Sequence, residues 1–268
     1  MSRILSLCLA LLLTMLLASA LARTAKDASP TLTPCVALSF DDGPDMTLTP
    51  RLLDILAREK VHATFFVVGK RLAYSPGLVR RAFVEGHEIG NHTFDHRRLT
   101  DLPDGEAVAE IEMTDEAVMA ETGHRPDLIR PPWGLIDSRV EAALRTAGLW
   151  RRVALWNFDS FDWLDDETHM TMLLTSGAPP GSVVLMHDIH ASTIEAVPGI
   201  IHNLKMRGFH FSTISGLEAC GNGTAPSLAA APPLAAPASA DSPVSRGLAH
   251  ALDELKPLEE YLAHRFGS

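Results

Sequence analysis

From residue 33 to about residue 220 the chain alternates between two kinds of segment. Short apolar runs typical of buried strands are predicted at residues 36–40, 63–68, 88–90, 128–130, 154–156, 182–186 and 209–213. Apolar residues at helical spacing predict helices at residues 49–59, 77–85, 105–122 and 138–147, and on both sides of Val183. Such βαβ repetition builds a parallel sheet covered by helices, either open or closed into a barrel.

The first 22 residues have the layout of a secretory signal peptide. A basic head at 1–3 is followed by an apolar core at 4–17 and small residues at 18–22. The alternative is an uncleaved membrane anchor, but the core is short for a membrane span and the small residues favour cleavage after Ala20 or Ala22. We therefore predict export to a secreted or periplasmic location, with no stable membrane span after cleavage.

The segments after residue 220 differ in composition from the rest. Residues 221–245 are rich in Ala, Pro and Ser and are predicted to be a linker, and leucines at helical spacing predict a helical tail at 246–268. Residues 33–220 then form a single catalytic domain. Without the signal peptide two cysteines remain, Cys35 and Cys220. They can pair in an oxidising compartment, but the sequence gives no distance between them.

Two aspartates and two histidines fall at predicted strand ends, where parallel α/β folds place their active sites. Asp41 and Asp42 follow the first strand, and His92 and His96 follow the third. Two histidines four apart can face one centre if the backbone between them is helical. The spacing alone favours two solvated surface histidines. With the aspartates it favours an open metal site of Asp42, His92 and His96, and Asp41 as the general base toward water activated by the metal.

Three further strand-end segments supply groups that a hydrolytic reaction needs. Arg130, in the segment RPPWG, can hold Asp41 in a charge-assisted pair. The segment DSFDW offers another carboxylate and an indole. His187 ends a strand and is a sensible general acid, although a single strand-end histidine is more often structural.

The segments SFDDGP, HTFDH, RPPWG, DSFDW and LMH resemble, in order and in approximate spacing, the five motifs of the polysaccharide deacetylases. These are the NodB-homology enzymes of carbohydrate esterase family 4, and the resemblance covers about residues 36–216. It implies a distorted (β/α) barrel and hydrolysis of an N-acetyl group on an amino sugar. It also implies a bound divalent metal, zinc by expectation and cobalt as the alternative.

The resemblance also implies a role for each matching residue. Asp41 becomes the base oriented by Arg130, and Asp162 pairs with the acid His187. The metal ligands are Asp42, His92 and His96, and the substrate-binding residues are Trp133, Trp163 and Leu185.

The third and first motifs depart from the usual pattern. Trp133 stands where the family usually has Tyr, a position whose backbone N–H helps to stabilise the oxyanion, so the change concerns the shape of the groove rather than the chemistry. Ser39 for the more usual Thr is a mild departure.

These features predict an exported, metal-dependent hydrolase of carbon–nitrogen bonds other than peptide bonds. Its substrate would be an acetylated glycan containing N-acetylglucosamine, of the peptidoglycan or chitin type. One alternative is an esterase that removes O-acetyl groups from a plant or wall polysaccharide. Another is a non-catalytic glycan-binding module, which ranks last because no base, acid or ligand is missing. The net charge of −10 argues against a nucleic-acid partner, and a monomer is expected.

Overall fold

The computed structural model describes residues 34–164, 168–217 and 220. Its strands are β1 (Cys35–Asp41), β2 (Thr64–Val67), β3 (Glu88–Asn91), β4 (Leu128–Ile129), β5 (Arg152–Val153), β6 (Phe158–Asp159), β7 (Ser182–His187) and β8 (His210–Ser212). Its α-helices are α1 (Leu48–Glu59), α2 (Gly69–Leu72), α3 (Leu78–Val84), α4 (Asp104–Thr122), α5 (Ser138–Thr146), α6 (Thr168–Thr175), α7 (Ala191–Met206) and α8 (Ile214–Leu217).

All strand pairs are parallel, in the order β5-β4-β3-β2-β1-β7-β6. β7 pairs along nearly the whole of β1, while β2 pairs with residues 39–41 and β8 with residues 35–37. The neighbours of β1 therefore diverge, and the sheet curls into an open half-barrel with helices packed on it. This confirms the predicted α/β fold, a distorted (β/α) barrel of the NodB-homology type.

The centre of the sheet is almost wholly apolar, as expected for a parallel strand covered on both faces. Val36, Leu38 and Phe40 of β1 are completely buried. They belong to one core cluster with the apolar stripe of α1 and the buried face of α7. This packing fixes the register of β1, and with it the position of the two aspartates at its end.

The strand register brings the predicted site residues to one edge of the sheet. Asp41, the last residue of β1, lies opposite His187, the last residue of β7. Asn91 of β3 lies opposite Ile129 of β4, so the residues that follow these strands, His92 and Arg130, are also neighbours. The carboxyl ends of four strands therefore meet around one point.

The predicted strand at residues 154–156 is wrong. The two-residue strands β5 and β6 flank this stretch instead. The backbone carbonyls of Ala154 and Leu155 accept hydrogen bonds from Arg130 Nε at 2.8 Å and Nη2 at 3.4 Å. Because these carbonyls bond a side chain, they do not form a strand ladder.

A disulfide joins Cys35 at the start of β1 to Cys220, a pairing that the sequence left open. All described residues belong to one compact unit. The predicted signal peptide (1–22), the linker (221–245) and the helical tail (246–268) lie outside the described residues. Among the helices in the described part of the chain, none is both long and apolar enough to cross a membrane.

Candidate active site

The two adjacent aspartates have separate partners. Asp41 is buried at the end of β1, and its Oδ1 accepts a hydrogen bond from Arg130 Nη1 at 2.7 Å. Asp42 has a left-handed backbone, with φ 73°, which breaks the alternation of the strand. Its Oδ1 lies 3.1 Å from His96 Nε2 and 3.4 Å from His92 Nε2. Each carboxylate is therefore compensated by a different group.

The cluster of Asp42, His92 and His96 has the chemistry of a cation site. His92 Nδ1 donates to the backbone carbonyl of Arg130 at 2.6 Å, so Nε2 is the ring nitrogen that faces Asp42. Asp42 Oδ1 is buried, yet no described residue donates a hydrogen bond to it. Two imidazole nitrogens around one carboxylate oxygen form a set of donor atoms that a metal cation can share.

One ligand atom from each of these three residues lies within 4.8 Å of the other two. Burial alone would raise the pKa of Asp42, but the two imidazoles outweigh it and hold that pKa well below its usual range. Two imidazole nitrogens and one ionised carboxylate suit a divalent metal such as zinc, with room left for further ligands. The three residues therefore fit the implied metal.

The loop that carries the two histidines is not helical, so the condition for a helical pair is not met. Thr93 and His96 have left-handed backbones, with φ 67° and 55°. The bends turn both rings toward Asp42, with ring centroids 4.9 Å apart. The histidines meet because the loop folds back, not because helical periodicity aligns them.

Two residues that anchor this loop are missing from the sequence-based prediction. Glu110 on α4 is buried, and its Oε2 accepts hydrogen bonds from the backbone N–H groups of Phe94 and Asp95, both at 2.8 Å. Asn91 Oδ1 accepts from the backbone N–H of Thr93 at 2.8 Å. A sequence signal did exist, because Glu110 lies three residues after Ala107 and eight before Val118, which is the spacing of one helix face.

Arg130 is completely buried and its guanidinium is held on several sides. Besides Asp41, its Nη1 donates to Ser39 Oγ at 2.9 Å, and the ring of Phe66 lies 4.0 Å from the guanidinium carbon. Burial lowers the pKa of Arg130, and Asp41 opposes that shift. The pair with Asp41 is therefore rigid and dry.

His187 and Asp162 form a second buried pair. Asp162 Oδ1 lies 2.8 Å from His187 Nδ1, while Asp162 Oδ2 accepts from the His187 backbone N–H and from Thr193 Oγ1, both at 2.7 Å. Burial alone would lower the pKa of His187, but Asp162, with help from Asp41 and Asp42, raises it to about 9. The imidazole therefore carries a proton at neutral pH, and its Nδ1 is held by Asp162.

A cavity of about 340 Å³ opens between these groups. Leu185, Trp156 and Asp159 contribute to its wall, and burial raises the pKa of Asp159. Trp133 and Trp163 stand at the cavity half-exposed, each at 51%, and the Trp133 ring lies 4.7 Å from that of His96. The cavity is lined by eight of the sequence-predicted site residues, namely Asp41, Asp42, His92, His96, Trp133, Trp163, Leu185 and His187. The other two do not line the cavity: Arg130 bonds Asp41, and Asp162 bonds His187.

Unusual backbone geometry is concentrated at this site. Of the six non-glycine residues with positive φ in the described part of the chain, one is Lys60 at the end of α1 and the rest lie in the site loops: Asp42, Thr93, His96, Trp133 and Phe161. Left-handed conformations of such residues cost free energy and accumulate where function requires them.

The structure is thus an open α/β barrel with an Asp41–Arg130 pair, an Asp162–His187 pair and an Asp42–His92–His96 cluster at its carboxyl edge. The model of the polysaccharide deacetylase family matches residues 28–151. A peptidoglycan-N-acetylglucosamine deacetylase from Bacillus cereus is 35% identical over 186 residues, which are 68% of this chain and 87% of that protein. The chain belongs to the polysaccharide deacetylases, carbohydrate esterase family 4.

Two further relatives agree with this membership. The peptidoglycan-N-acetylglucosamine deacetylase PgdA of Listeria monocytogenes is 39% identical over 183 residues, which are 68% of this chain and 38% of that protein. The chain thus spans about two fifths of the length of that relative. The structure of the peptidoglycan deacetylase PdaC from Bacillus subtilis matches with a TM-score of 0.66 and 36% identity, covering 72% of this chain and 93% of that one.

Proposed function

We propose that the protein is a metal-dependent hydrolase that removes N-acetyl groups from a glycan containing N-acetylglucosamine, of the peptidoglycan or chitin type. The observation that carries the proposal is the placement of a buried carboxylate, Asp41, beside His187, whose Nδ1 is held by Asp162, at the ends of two neighbouring strands in one cavity. The names of the relatives, which are peptidoglycan deacetylases, support the same substrate class.

Asp42, His92 and His96 would hold the divalent metal, zinc by expectation and cobalt as the alternative. When bound, the metal supplies Lewis acidity, which polarises the acetyl carbonyl and lowers the pKa of water. The protein supplies the remaining parts of the reaction through its own side chains.

Asp41 is the general base of the proposed reaction. Its Oδ1 is engaged by Arg130, while its Oδ2 lies 3.7 Å from His92 Nε2, on the side of the metal ligands. Oδ2 therefore accepts the proton of the attacking water. Arg130 positions this carboxylate through a charge-assisted hydrogen bond in a buried setting.

His187 is the general acid. Asp162 holds Nδ1, so Nε2 donates the proton to the leaving nitrogen. An amine is a poor leaving group unless it is protonated, whereas an alcohol leaves more readily. An imidazole that is charged at neutral pH therefore favours N-deacetylation over the alternative, hydrolysis of O-acetyl esters.

The substrate contacts are proposed for three residues. Leu185 and Trp163 would enclose the acetyl methyl group, and the exposed face of Trp133 would support a sugar ring. Because base, acid and ligands are all present, a non-catalytic glycan-binding role has the least support.

Mass spectrometry of reaction products tests the proposal. The zinc-loaded protein would be incubated with chito-oligosaccharides, peptidoglycan fragments and acetylated xylan. We expect free amines on the first two substrates, and loss of turnover after chelation that added zinc restores. Products bearing only new hydroxyl groups would favour the esterase, and full activity after complete metal removal would contradict metal dependence.

We also propose that the protein acts after export, as a monomer. The exported form should begin near Leu21 or Arg23 when its amino terminus is determined by mass spectrometry. An intact Met1 in a membrane-held mature protein would contradict cleavage.

A further inference from the structure

A second cavity, of about 560 Å³, adjoins the site. It shares Asp42 and His96 with the first cavity, and it is otherwise lined by the loop after β1, by residues 68–75 in and around α2, and by Asp95. A polymer whose acetylated sugar lies at Asp42 and His96 would therefore extend its next residues into this second cavity.

The charged groups of this cavity are all accounted for except one. Lys70 Nζ is 3.0 Å from Asp95 Oδ1, so these two neutralise each other. Asp45 Oδ1 accepts from two backbone N–H groups of the following turn, both at 2.8 Å. Asp42 belongs to the proposed metal site.

The remaining charge is that of Arg71. The side chain is half-buried and lines the cavity, yet its guanidinium makes no hydrogen bond or ion pair with any residue that the structure describes. Its charge does act at longer range on the buried Asp188. The chain has 33 acidic and 23 basic residues, so a carboxylate partner is not scarce.

An arginine side chain that is partly withdrawn from water and has no carboxylate within bonding distance is available to an anionic group of a ligand. Its planar fork of donors matches the two oxygens of a carboxylate in a bidentate pair. Tyr74 and Met46 at the same cavity are two-thirds exposed, at 66% and 67%, and offer apolar surface for a sugar ring. Charge and apolar surface together suit an acidic saccharide.

We propose that Arg71 binds a carboxylate carried by the glycan substrate, one or two sugars away from the acetyl group that is removed. The proposal rests on the proposed deacetylase function and narrows its substrate to acidic glycans of the peptidoglycan type over neutral chitin. The carboxylate comes either from a lactyl ether on the sugar or from an attached peptide, and the experiment separates these sources.

Steady-state kinetics on matched tetrasaccharides tests whether Arg71 binds a carboxylate of the substrate. The substrates are tetra-N-acetylchitotetraose, a tetrasaccharide of alternating N-acetylglucosamine and N-acetylmuramic acid, the same compound with its lactyl carboxylates amidated, and the same compound carrying peptides. Arg71→Gln should raise KM about tenfold for the tetrasaccharide with free lactyl carboxylates, because one charge-assisted bond is lost at a half-exposed site. The kcat value on this acidic substrate, and both kcat and KM on the neutral tetrasaccharide, should change less than about twofold.

The change in the substrate and the change in the protein should form a thermodynamic cycle, because each removes the same contact. Amidation of the lactyl carboxylates should raise the KM of the unmodified protein about as much as Arg71→Gln does, and it should not raise the KM of the variant further. Arg80→Gln is the matched control, since Arg80 is exposed and lines neither cavity. If the KM increase appears only with the peptide-bearing substrate, the peptide is the source of the carboxylate.

An equal loss on neutral and acidic substrates, or no loss on the acidic ones, would overturn the proposal. Equilibrium binding of the same compounds to Asp41→Asn, with and without Arg71→Gln, gives a second measurement that does not need turnover. If the unmodified protein releases no acetate from any substrate, the proposed function fails, while the binding titration still decides whether Arg71 recognises a carboxylate.

Discussion

Removing the Glu110 carboxylate should weaken metal binding even though Glu110 touches no proposed ligand side chain. Its Oε2 accepts two backbone hydrogen bonds, from Phe94 and Asp95, at the centre of the loop between His92 and His96. In Glu110→Ala these N–H groups lose their acceptor. The loop can then leave the conformation that brings the two rings to Asp42.

The size of the effect follows from the number and burial of these bonds. A hydrogen bond to a charged group contributes about 1.5–3 kcal/mol, so two contribute about 3–6 kcal/mol together. Glu110 is only 6% exposed, so water replaces them poorly. If about 2 kcal/mol of this stabilisation favours the loop conformation in which the two histidines can bind metal, its loss lowers the apparent zinc affinity about thirtyfold. Glu110→Gln keeps an acceptor oxygen, so its zinc affinity should lie between that of the unmodified protein and that of Glu110→Ala.

Competition with a chromogenic chelator would measure zinc affinity, and thermal unfolding of the metal-free proteins would measure stability separately. Glu106→Gln is the control, because Glu106 lies on the same helix but forms only an exposed ion pair with Arg97 at 2.9 Å. If Glu110→Ala binds zinc within about threefold of this control while its melting temperature falls, Glu110 stabilises the fold only and the reasoning is refuted.

The raised pKa of His187, about 9, makes the metal-free protein lose stability with rising pH. The contribution of the protonated ring is complete below its unfolded-state pKa of about 6.5 and is lost as pH rises through 9. Unfolding free energies should therefore fall by about 2.5 kcal/mol between pH 7 and 10, and much less in His187→Gln. Replacing Cys35 and Cys220 by serine should cost about 2–5 kcal/mol because the bridge spans 185 residues, and an unchanged midpoint in urea would contradict this. Asp41→Asn should retain zinc and lose about 10²–10⁴-fold in kcat, whereas Asp42→Asn should lose zinc first; the opposite pattern of zinc content and turnover would exchange the two roles.

The position of the site could be predicted from the sequence because four of its residues are tied to strand ends. Asp41 and His187 are the last residues of β1 and β7, and His92 and Arg130 directly follow β3 and β4. Apolar runs reveal such strands locally, and parallel strands bring their carboxyl ends to one edge. Recognising the strands was therefore enough to bring these residues together.

The features that escaped prediction depend on contacts between distant parts of the chain. Residues 154–156 look like a strand, but the carbonyls of Ala154 and Leu155 bond the side chain of Arg130, 24 and 25 residues away. The bends at Thr93 and His96 are supported by Glu110, on a helix that begins after the loop ends. No periodicity within a short window carries that information.

Arg130 shows why the two halves of the site should be considered as one unit. Its side chain holds Asp41 through Nη1, and its backbone carbonyl accepts the Nδ1 proton of His92. The first contact orients the proposed base. The second fixes the tautomer of a proposed metal ligand, so that Nε2 faces Asp42. Because both contacts start from one buried residue at the end of β4, base and ligand keep a constant relation to each other.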